Sequence, residues 1–333
     1  MSQKKFDVFG VGNAIVDTLA QVEDSFVAEL ELNKGGMALM DTSHQAKVLH
    51  GLEHHQLQMA SGGSAANTMV AIAQSGGSGV YCGKVAHDTN GEFYKQDMEE
   101  SGIRFPVPLA SEASLPTGTC VVLTTPDAER TMCTHLGIST SLNKQEIDFD
   151  LLADCQCSYI EGYLWDADEP RAACVETFEQ SKKHGVKAAF TFSDAFLIDR
   201  FAEDFHKLVD EYCDIVFCNS DEAKQFFENQ DFDACVSEMA KICDLAFMTD
   251  GPNGCFVLEQ GQVTKVDGFA VNAVDTVGAG DAFAGGVLYG ITNGMSAVKA
   301  AKWGNYLASR VVEHIGPRLE GSMTSHVDSI VGG

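Results

Sequence analysis

Basic residues are scarce in this sequence, where 22 lysines and arginines stand against 48 aspartates and glutamates, for a formal net charge of −26. Such an acidic surface repels the phosphate backbone of nucleic acids and the head groups of anionic lipids, which argues against partners of either kind. It also repels nucleotides. Any phosphate site must therefore depend on backbone N–H groups, a helix N-terminus, a divalent metal ion and a few local cations.

Paired metal-ligand motifs are absent as well. The eleven cysteines form no C-x-x-C pair, and their tightest spacing is that of Cys155 and Cys157. Scattered cysteines without a framework are typical of reduced, buried thiols in a cytosolic protein, and the lack of H-E-x-x-H argues against zinc. No apolar run approaches the length of a membrane span, and no signal-peptide pattern is present. We expect a cytoplasmic protein.

Short apolar runs alternate with segments of helical periodicity, which predicts an α/β fold with a parallel sheet. The clearest runs are Phe6–Val11, Ser158–Ile160, Val186–Phe192, Asp214–Cys218 and Leu245–Thr249. One helix is predicted to have Pro170 in its first turn and to end at Gly185. A chain of 333 residues exceeds the usual size of one core, so we expect one large domain with an excursion, or two domains.

Two stretches interrupt this rhythm, at residues 17–60 and 115–136, where β-branched segments alternate without a good crossover helix. The second stretch predicts a hairpin of Gly118–Thr124 and Arg130–Leu136 with its turn around Pro126. We expect the two stretches to pair into a small β lid that closes over a site and excludes water. The large α/β domain would then comprise residues 1–16, 61–114 and 137–333.

The strongest chemical signal is Asp275–Asp281, which reads D-T-V-G-A-G-D and leads into a helix expected to begin near Asp281. Gly278 and Gly280 permit a tight turn whose N–H groups point inward, and the helix adds the positive end of its dipole. With Ala279, they form a predicted anion hole for a phosphoryl group. Asp281 is placed to accept a proton from an attacking hydroxyl, although an N-cap is the commoner role of Asp at a helix start.

Two further glycine-rich segments lie nearer the N-terminus. Ser61–Asn67 reads S-G-G-S-A-A-N, in which a glycine pair lets a ligand approach the backbone and Asn67 offers a donor and an acceptor to sugar hydroxyls. A plain turn is the commoner reason for such glycines. Gly10–Ile15 lacks the last glycine of a dinucleotide fingerprint. Asn13 and Asp17, beyond the end of a strand, instead suit a polyhydroxylated ligand.

Four segments together resemble the signatures of the ribokinase-like (PfkB) family of carbohydrate and nucleoside kinases, in the family's order and spacing. They are Gly62–Asn67, Asn219–Glu222 (N-x-x-E), Thr249–Gly254 (T-x-G-x-x-G) and Asp275–Asp281. The resemblance runs from Gly12 to Pro317. It implies a ribokinase-like fold, with a central, mostly parallel sheet flanked by helices and a small β lid domain.

The resemblance implies transfer of a phosphoryl group from MgATP to a small-molecule hydroxyl, with Asp281 as general base. The implied ATP-binding residues are Asn219, Thr249, Gly251, Gly254, Gly278, Gly280 and Asn305. Asn219 and Glu222 would organise Mg²⁺ through water, and the alternative is that they are a helix cap and its first-turn acid. A monovalent cation, K⁺, is implied near Asp275.

Within the family the chain resembles the adenosine kinase branch, which implies a nucleoside acceptor. The implied substrate-binding residues are Asn13, Asp17, Gly62, Gly63, Asn67, Tyr163 and Phe196. Arg130 is implied as a lid cation that reaches the phosphates or the ribose, although arginine in a hairpin is more often a solvated charge. Tyr163 and Phe196 also suit a plain core role. Met37 and Val277 depart from the Gln and Asn found at these positions in adenosine kinases.

Other functions therefore stay open. A kinase of inosine, guanosine or a free sugar fits the same motifs. Gly62–Ala66 nearly matches the G-x-S-x-G elbow of acyl hydrolases, but that elbow follows a strand and His54–Gln58 is polar. A non-catalytic nucleoside-binding protein would not need Asp281 or Glu222. We expect a monomer or homodimer that binds ATP and a small molecule.

Overall fold

The computed structural model of the protein describes residues 4–111, 115–127 and 129–332. Residues 1–3, 112–114, 128 and 333 lie outside the described residues. The predicted domain ends and the predicted boundary at residue 114 fall among them, and residue 128 belongs to the predicted lid. The strands are β1 Phe6–Val11, β2 Ile15–Gln21, β3 Met37–Leu39, β4 Leu57–Gly62, β5 Gly79–Cys82, β6 Ile103–Arg104, β7 Gly118–Thr124, β8 Arg130–His135, β9 Cys155–Glu161, β10 Lys187–Thr191, β11 Ile215–Asn219, β12 Leu245–Thr249, β13 Cys255–Glu259 and β14 Gln262–Val266.

The helices alternate with most of these strands. They are α1 Asp24–Glu29, α2 Thr42–Gly51, α3 Ser64–Gln74, α4 Thr89–Glu100, α5 Phe149–Ala153, α6 Asp168–His184, α7 Ala195–Glu211, α8 Ser220–Phe226, α9 Phe232–Ile242, α10 Ala279–Thr292, α11 Ala297–Val311 and α12 Thr324–Val331. Short 3₁₀ turns occupy Gly137–Ser141, Lys144–Glu146, Gly162–Asp166 and Gly251–Asn253. As predicted, α6 carries Pro170 in its first turn and ends at Gly185, which adopts a left-handed conformation.

Nine strands form the large sheet, in the order β14-β13-β12-β11-β10-β9-β1-β5-β6. The seven strands from β12 to β6 run parallel, and β13 and β14 are antiparallel additions at one edge. Five of six residues in β1 are buried, which is typical of a strand covered on both faces by helices. The predicted α/β fold with a mostly parallel sheet is therefore confirmed.

Five strands form a second sheet, in the order β3-β8-β7-β2-β4. The hairpin of β7 and β8 has the predicted position. Two helices, α1 and α2, lie where no good helix was predicted. The sequence pattern of α2 is weak because its apolar face is short: Val48 within the helix and Leu52 at its end pack on the sheet. β4 was also missed. It is an edge strand whose first three residues are exposed, so an apolar pattern is not required.

Close helix packing brings two helix N-termini together beside the sheets. A Cβ atom on Gly285 of α10 would lie 2.6 Å from the Cβ of Ala71 in α3, and one on Gly286 would lie 2.8 Å from the Cα of Gly304 in α11. Glycine inside α10 therefore permits the close approach of α3 and α11. The beginnings of α3 and α10, which carry the two main motifs, meet at the same place.

Within the described ranges, no helix combines the length and the apolarity needed to cross a membrane. All eleven cysteines are free, and all except Cys213 are buried. Burial raises the pKa of every one of these thiols. The cysteines thus fill the interior as small apolar side chains.

Candidate active site

A cavity of about 360 Å³ lies between the carboxyl ends of β10, β11 and β12 and one face of the small sheet. In open parallel sheets, ligands bind at this edge. Eleven of the predicted site residues line the cavity: Asp17, Gly63, Asn67, Arg130, Tyr163, Asn219, Glu222, Thr249, Gly278, Gly280 and Asp281. Sequence positions more than 200 residues apart therefore converge on one space.

A second cavity of about 220 Å³ adjoins the first and shares Gly63, Ser64 and Tyr163 with it. It adds two further predicted residues, Asn13 and Phe196. The rings of Tyr163 and Phe196 are 6.4 Å apart between centroids and tilted by 44°. Phe196 is 40% exposed, so its ring has a face open to a ligand.

Six predicted residues line neither cavity: Gly62, Gly251, Gly254, Asp275, Ala279 and Asn305. The side-chain amide of Asn305 is buried and donates to the backbone carbonyls of Val266 and Asp267, at 3.1 and 3.2 Å. Gly62 lies directly against the carboxylate of Asp17, where a side chain would collide. These two residues shape the surroundings of the cavity.

Asp281 lies at the floor of the main cavity. Its Oδ1 accepts a hydrogen bond from Ser64 Oγ at 2.6 Å, and its Oδ2 accepts one from Asn67 Nδ2 at 3.0 Å. Removal from bulk water raises the pKa of Asp281 to about 6, while these two donors and the charge of Arg318 oppose the rise. The N-cap of α10 is Gly278, so Asp281 sits in the first turn and its side chain points across to α3.

The start of α10 has the backbone geometry expected of the predicted anion site, which itself stays a prediction. Gly278 has a φ of 77°, which requires glycine, and it packs directly against Pro317. The first N–H groups of a helix have no carbonyl partner within it, and the helix dipole adds positive potential there. Apart from its chain neighbours and the backbone of α10, nothing lies within 4 Å of the position that a Cβ on Gly280 would take, so this side of the backbone is open.

Arg130 and Asp275 form a buried ion pair, with 2.8 Å between the guanidinium NH2 and Oδ2. Arg130 is therefore not a solvated surface charge. Asp275 also accepts from the backbone N–H groups of Val277 and Gly316, at 3.1 and 2.9 Å. Both oxygens of Asp275 therefore have partners within the protein, and the monovalent cation near this residue stays a prediction.

Comparison with known proteins adds the decisive observation. The sequence profile of the pfkB family of carbohydrate kinases matches residues 36–322 of the chain. The chain belongs to the pfkB family. Its relatives include the adenosine kinase of Saccharomyces cerevisiae, which is 25% identical over 95% of this chain and 97% of the relative.

Two solved bacterial structures resemble this pfkB kinase over nearly its full length. One is described as a probable sugar kinase from Rhizobium etli, with 34% identity, a TM-score of 0.90 and 98% of each chain covered. The other is an adenosine kinase from Sinorhizobium meliloti, with 36% identity, a TM-score of 0.89, and 98% and 99% covered. The protein is thus a sugar or nucleoside kinase, a class that uses ATP, normally with Mg²⁺.

Asn219 and Glu222, which the resemblance assigns to Mg²⁺, lie side by side at the start of α8. Glu222 accepts from the backbone N and the Nδ2 of Asn219, at 2.9 and 2.8 Å, and Asn219 caps α8, so the helix cap considered as the alternative is present. Burial raises the pKa of Glu222 to about 7. Among the described residues, no three His, Cys, Asp or Glu side chains converge as a metal site. The role of the pair toward Mg²⁺, through water, stays a prediction.

The sequence did not predict a role for three residues of the kinase site. Ser64 bonds to Asp281, and Glu161 accepts from the backbone N and Nδ2 of Asn13 and from the backbone N of Ala65, at 2.7, 3.0 and 2.7 Å. Glu161 is fully buried, which raises its pKa to about 7. The third residue is Arg318, which bonds to Asn67.

The sequence argument against an acyl hydrolase, that no strand precedes Ser64, is wrong. β4 does precede Ser64, so a strand leads into the helix as in a nucleophile elbow. The contacts of Ser64 still argue against hydrolysis, because its hydroxyl donates to Asp281 and, among the described residues that line the two cavities, there is no histidine to serve as base.

Proposed function

We propose that this kinase is an adenosine kinase, which transfers the γ-phosphoryl group of ATP to the 5′-hydroxyl of adenosine. The observation that carries the proposal is the second cavity, whose two aromatic rings open beside Ser64, the hydrogen-bond partner of Asp281. A purine has a flat π-face that stacks on aromatic rings, whereas a free sugar has no such face and gains less from this cavity. The ribose would lie where the two cavities meet.

In this proposal Asp281 is the general base. The 5′-hydroxyl attacks the γ-phosphorus in line, its proton passes to the carboxylate, and ADP leaves. With a pKa of about 6, Asp281 is ionised at neutral pH and can accept that proton. The N–H groups at Gly278–Gly280 and the dipole of α10 stabilise the negative charge that develops on the transferring group.

Arg130 supplies the positive charge that the acidic surface lacks. Its buried Nε has no hydrogen-bond partner among the described residues, so it retains a donor for a phosphate or ribose oxygen. Asp17, Asn67 and Gly63 line the same cavity and would hold the ribose hydroxyls, with Asn13 nearby. Burial raises the pKa of Asp17 to about 7, against the pull of Arg318 and Arg130.

The nucleotide would extend along the carboxyl ends of β11 and β12, past Asn219 and Thr249. Mg²⁺, when bound, neutralises charge on the phosphates, and Asn219 and Glu222 would hold its water ligands. The stretches 17–60 and 115–136 would act as the lid, because the inner face of their sheet lines the cavity. Both assignments are part of the proposal.

A free sugar or another nucleoside is the second candidate acceptor. The likeness to a probable sugar kinase supports it, as does the apolar Met37, which lines the second cavity and is 45% exposed. A methionine offers no hydrogen bond by which to tell adenine from hypoxanthine. Discrimination between adenosine and inosine would then depend on backbone groups or water.

A panel of acceptors tests the proposal directly. ATP-dependent formation of ADP is measured with adenosine, inosine, guanosine, ribose and fructose, and kcat/KM is compared. Adenosine is expected to give the highest value. A free sugar that exceeds every nucleoside would overturn the adenosine assignment and leave the phosphotransfer mechanism standing. A protein that binds adenosine but turns over no acceptor would instead be a nucleoside-binding protein.

A further inference from the structure

Arg318 links two parts of the site that the chain keeps far apart. Its Nε donates to Asn67 Oδ1 at 2.8 Å, and its NH1 donates to Ser61 Oγ at 2.9 Å and lies 3.4 Å from Asp97 Oδ2. The side chain is only 13% exposed. Asp97 in turn accepts from the backbone N and the hydroxyl of Ser61, at 2.9 and 2.5 Å, so the guanidinium is held at a fixed place.

This arrangement decides which way the amide of Asn67 faces. A guanidinium has donors and no acceptor, so it bonds only to the oxygen of an amide. With Oδ1 held by Arg318, Nδ2 must face Asp281, where it donates to Oδ2. A flipped amide would place its NH₂ against the guanidinium and its oxygen against the carboxylate, and both contacts would be repulsive.

We propose that Arg318 is a positioning residue for phosphoryl transfer: anchored by Asp97, it holds the amide of Asn67 in the orientation that donates to Asp281. The inference rests on the proposed role of Asp281 as general base. Ser64 secures one carboxylate oxygen and Asn67 secures the other, so loss of the amide orientation frees Asp281 to rotate away from the acceptor hydroxyl. Misplacement of a catalytic group by a small distance lowers turnover steeply.

Several charged or titratable groups surround Asp281. Arg318 lowers its pKa, while Asp17, Glu161, Tyr159 and Tyr163 each interact with it through their charges. Asp17 and Glu161 have pKa values of about 7 and titrate close to Asp281, so a pH profile mixes the three groups. A coupling measurement between Arg318 and Asn67 is therefore the sharper test.

The experiment measures kcat, the KM for the best acceptor of the panel at saturating MgATP, and the KM for ATP at saturating acceptor, for Arg318→Met, Asn67→Ala and the double variant. Arg318→Met is expected to lower kcat by about ten- to a hundredfold and to leave the KM for ATP within about threefold. In the Asn67→Ala background, Arg318→Met should lower kcat by less than about threefold, because the amide that Arg318 positions is already absent. Arg310→Met is the control, since Arg310, in α11, pairs with Glu313 beyond the end of that helix, and neither residue lines a cavity.

Arg318→Lys separates charge from geometry and serves if the Met variant does not fold. Lysine is a point charge that pairs with the carboxylate of Asp97 and leaves the Asn67 amide free, so kcat should stay low. Full recovery of kcat by lysine, or an equal loss from Arg318→Met in both backgrounds, would overturn the proposal. Asp281→Asn is measured in parallel. Normal turnover of this variant would show that Asp281 is not the general base. If Asp281→Asn is inactive but the effects of Arg318→Met and Asn67→Ala are additive, only the positioning role of Arg318 is overturned.

Discussion

Replacement of Phe196 by alanine tests whether the second cavity binds a base. Phe196 is the second residue of α7, and its ring is 40% exposed opposite Tyr163. Stacking of a base on an aromatic ring is worth roughly 1–3 kcal/mol, so loss of one face should lower kcat/KM for adenosine by about five- to a hundredfold. Because the ring is partly exposed, the loss of stability should fall well short of the ~3–5 kcal/mol for a fully buried phenylalanine.

The assay compares initial rates at low acceptor concentration and saturating MgATP for adenosine and for ribose. The effect on ribose, if it is accepted, should be much smaller, since ribose has no base. Phe232→Ala is the matched control, because Phe232 packs on Phe256 at a centroid distance of 5.7 Å and lines neither cavity. Equal losses for adenosine and ribose, or no loss at all for adenosine, would refute the reasoning.

Three further predictions concern the carboxylates. Asp281→Asn should lower kcat by at least ~10²–10⁴ with acceptor affinity retained by calorimetry, and near-normal turnover would show that Asp281 is not the base. Glu222→Gln should raise the Mg²⁺ concentration for half-maximal rate, whereas an unchanged Mg²⁺ dependence would make its role structural. For Glu161, folding raises the pKa to about 7, so its contribution to stability is present below its unfolded pKa and is lost as the pH rises through 7. Wild-type stability relative to Glu161→Gln should therefore fall between pH 5 and 8, as measured by urea unfolding; a constant difference would contradict this pKa.

The sequence was informative where local composition decides structure. The apolar runs that became β1 and β12 have the predicted bounds, because a strand buried on both faces needs consecutive apolar residues. Gly278 and Gly63 lie where the backbone adopts positive φ, and both line the main cavity. The predicted assignments of Tyr163 and Phe196 to the base stay predictions, supported by their shared cavity.

Long-range pairing could not be predicted from sequence. The hydrogen bonds of Ser64 to Asp281 and of Asn67 to Arg318 join residues 217 and 251 positions apart, and no local pattern encodes them. Asn305 lines neither cavity, and its amide donates to two backbone carbonyls at the end of β14, a contact that no local pattern encodes. Its predicted role in ATP binding stays a prediction.

The buried cysteines give the protein a chemical reactivity that depends on its motions. The thiolate is the reactive form of cysteine, and the raised pKa values leave little thiolate at neutral pH. Alkylation of these cysteines therefore requires opening of the structure. Cys120 lies in the small sheet and lines the main cavity, whereas Cys174 lies in α6 within the main core. Alkylation of Cys120 would therefore report opening around the small sheet, and alkylation of Cys174 would report unfolding of the core around the large sheet. A ligand in the cavity should slow the first reaction far more than the second.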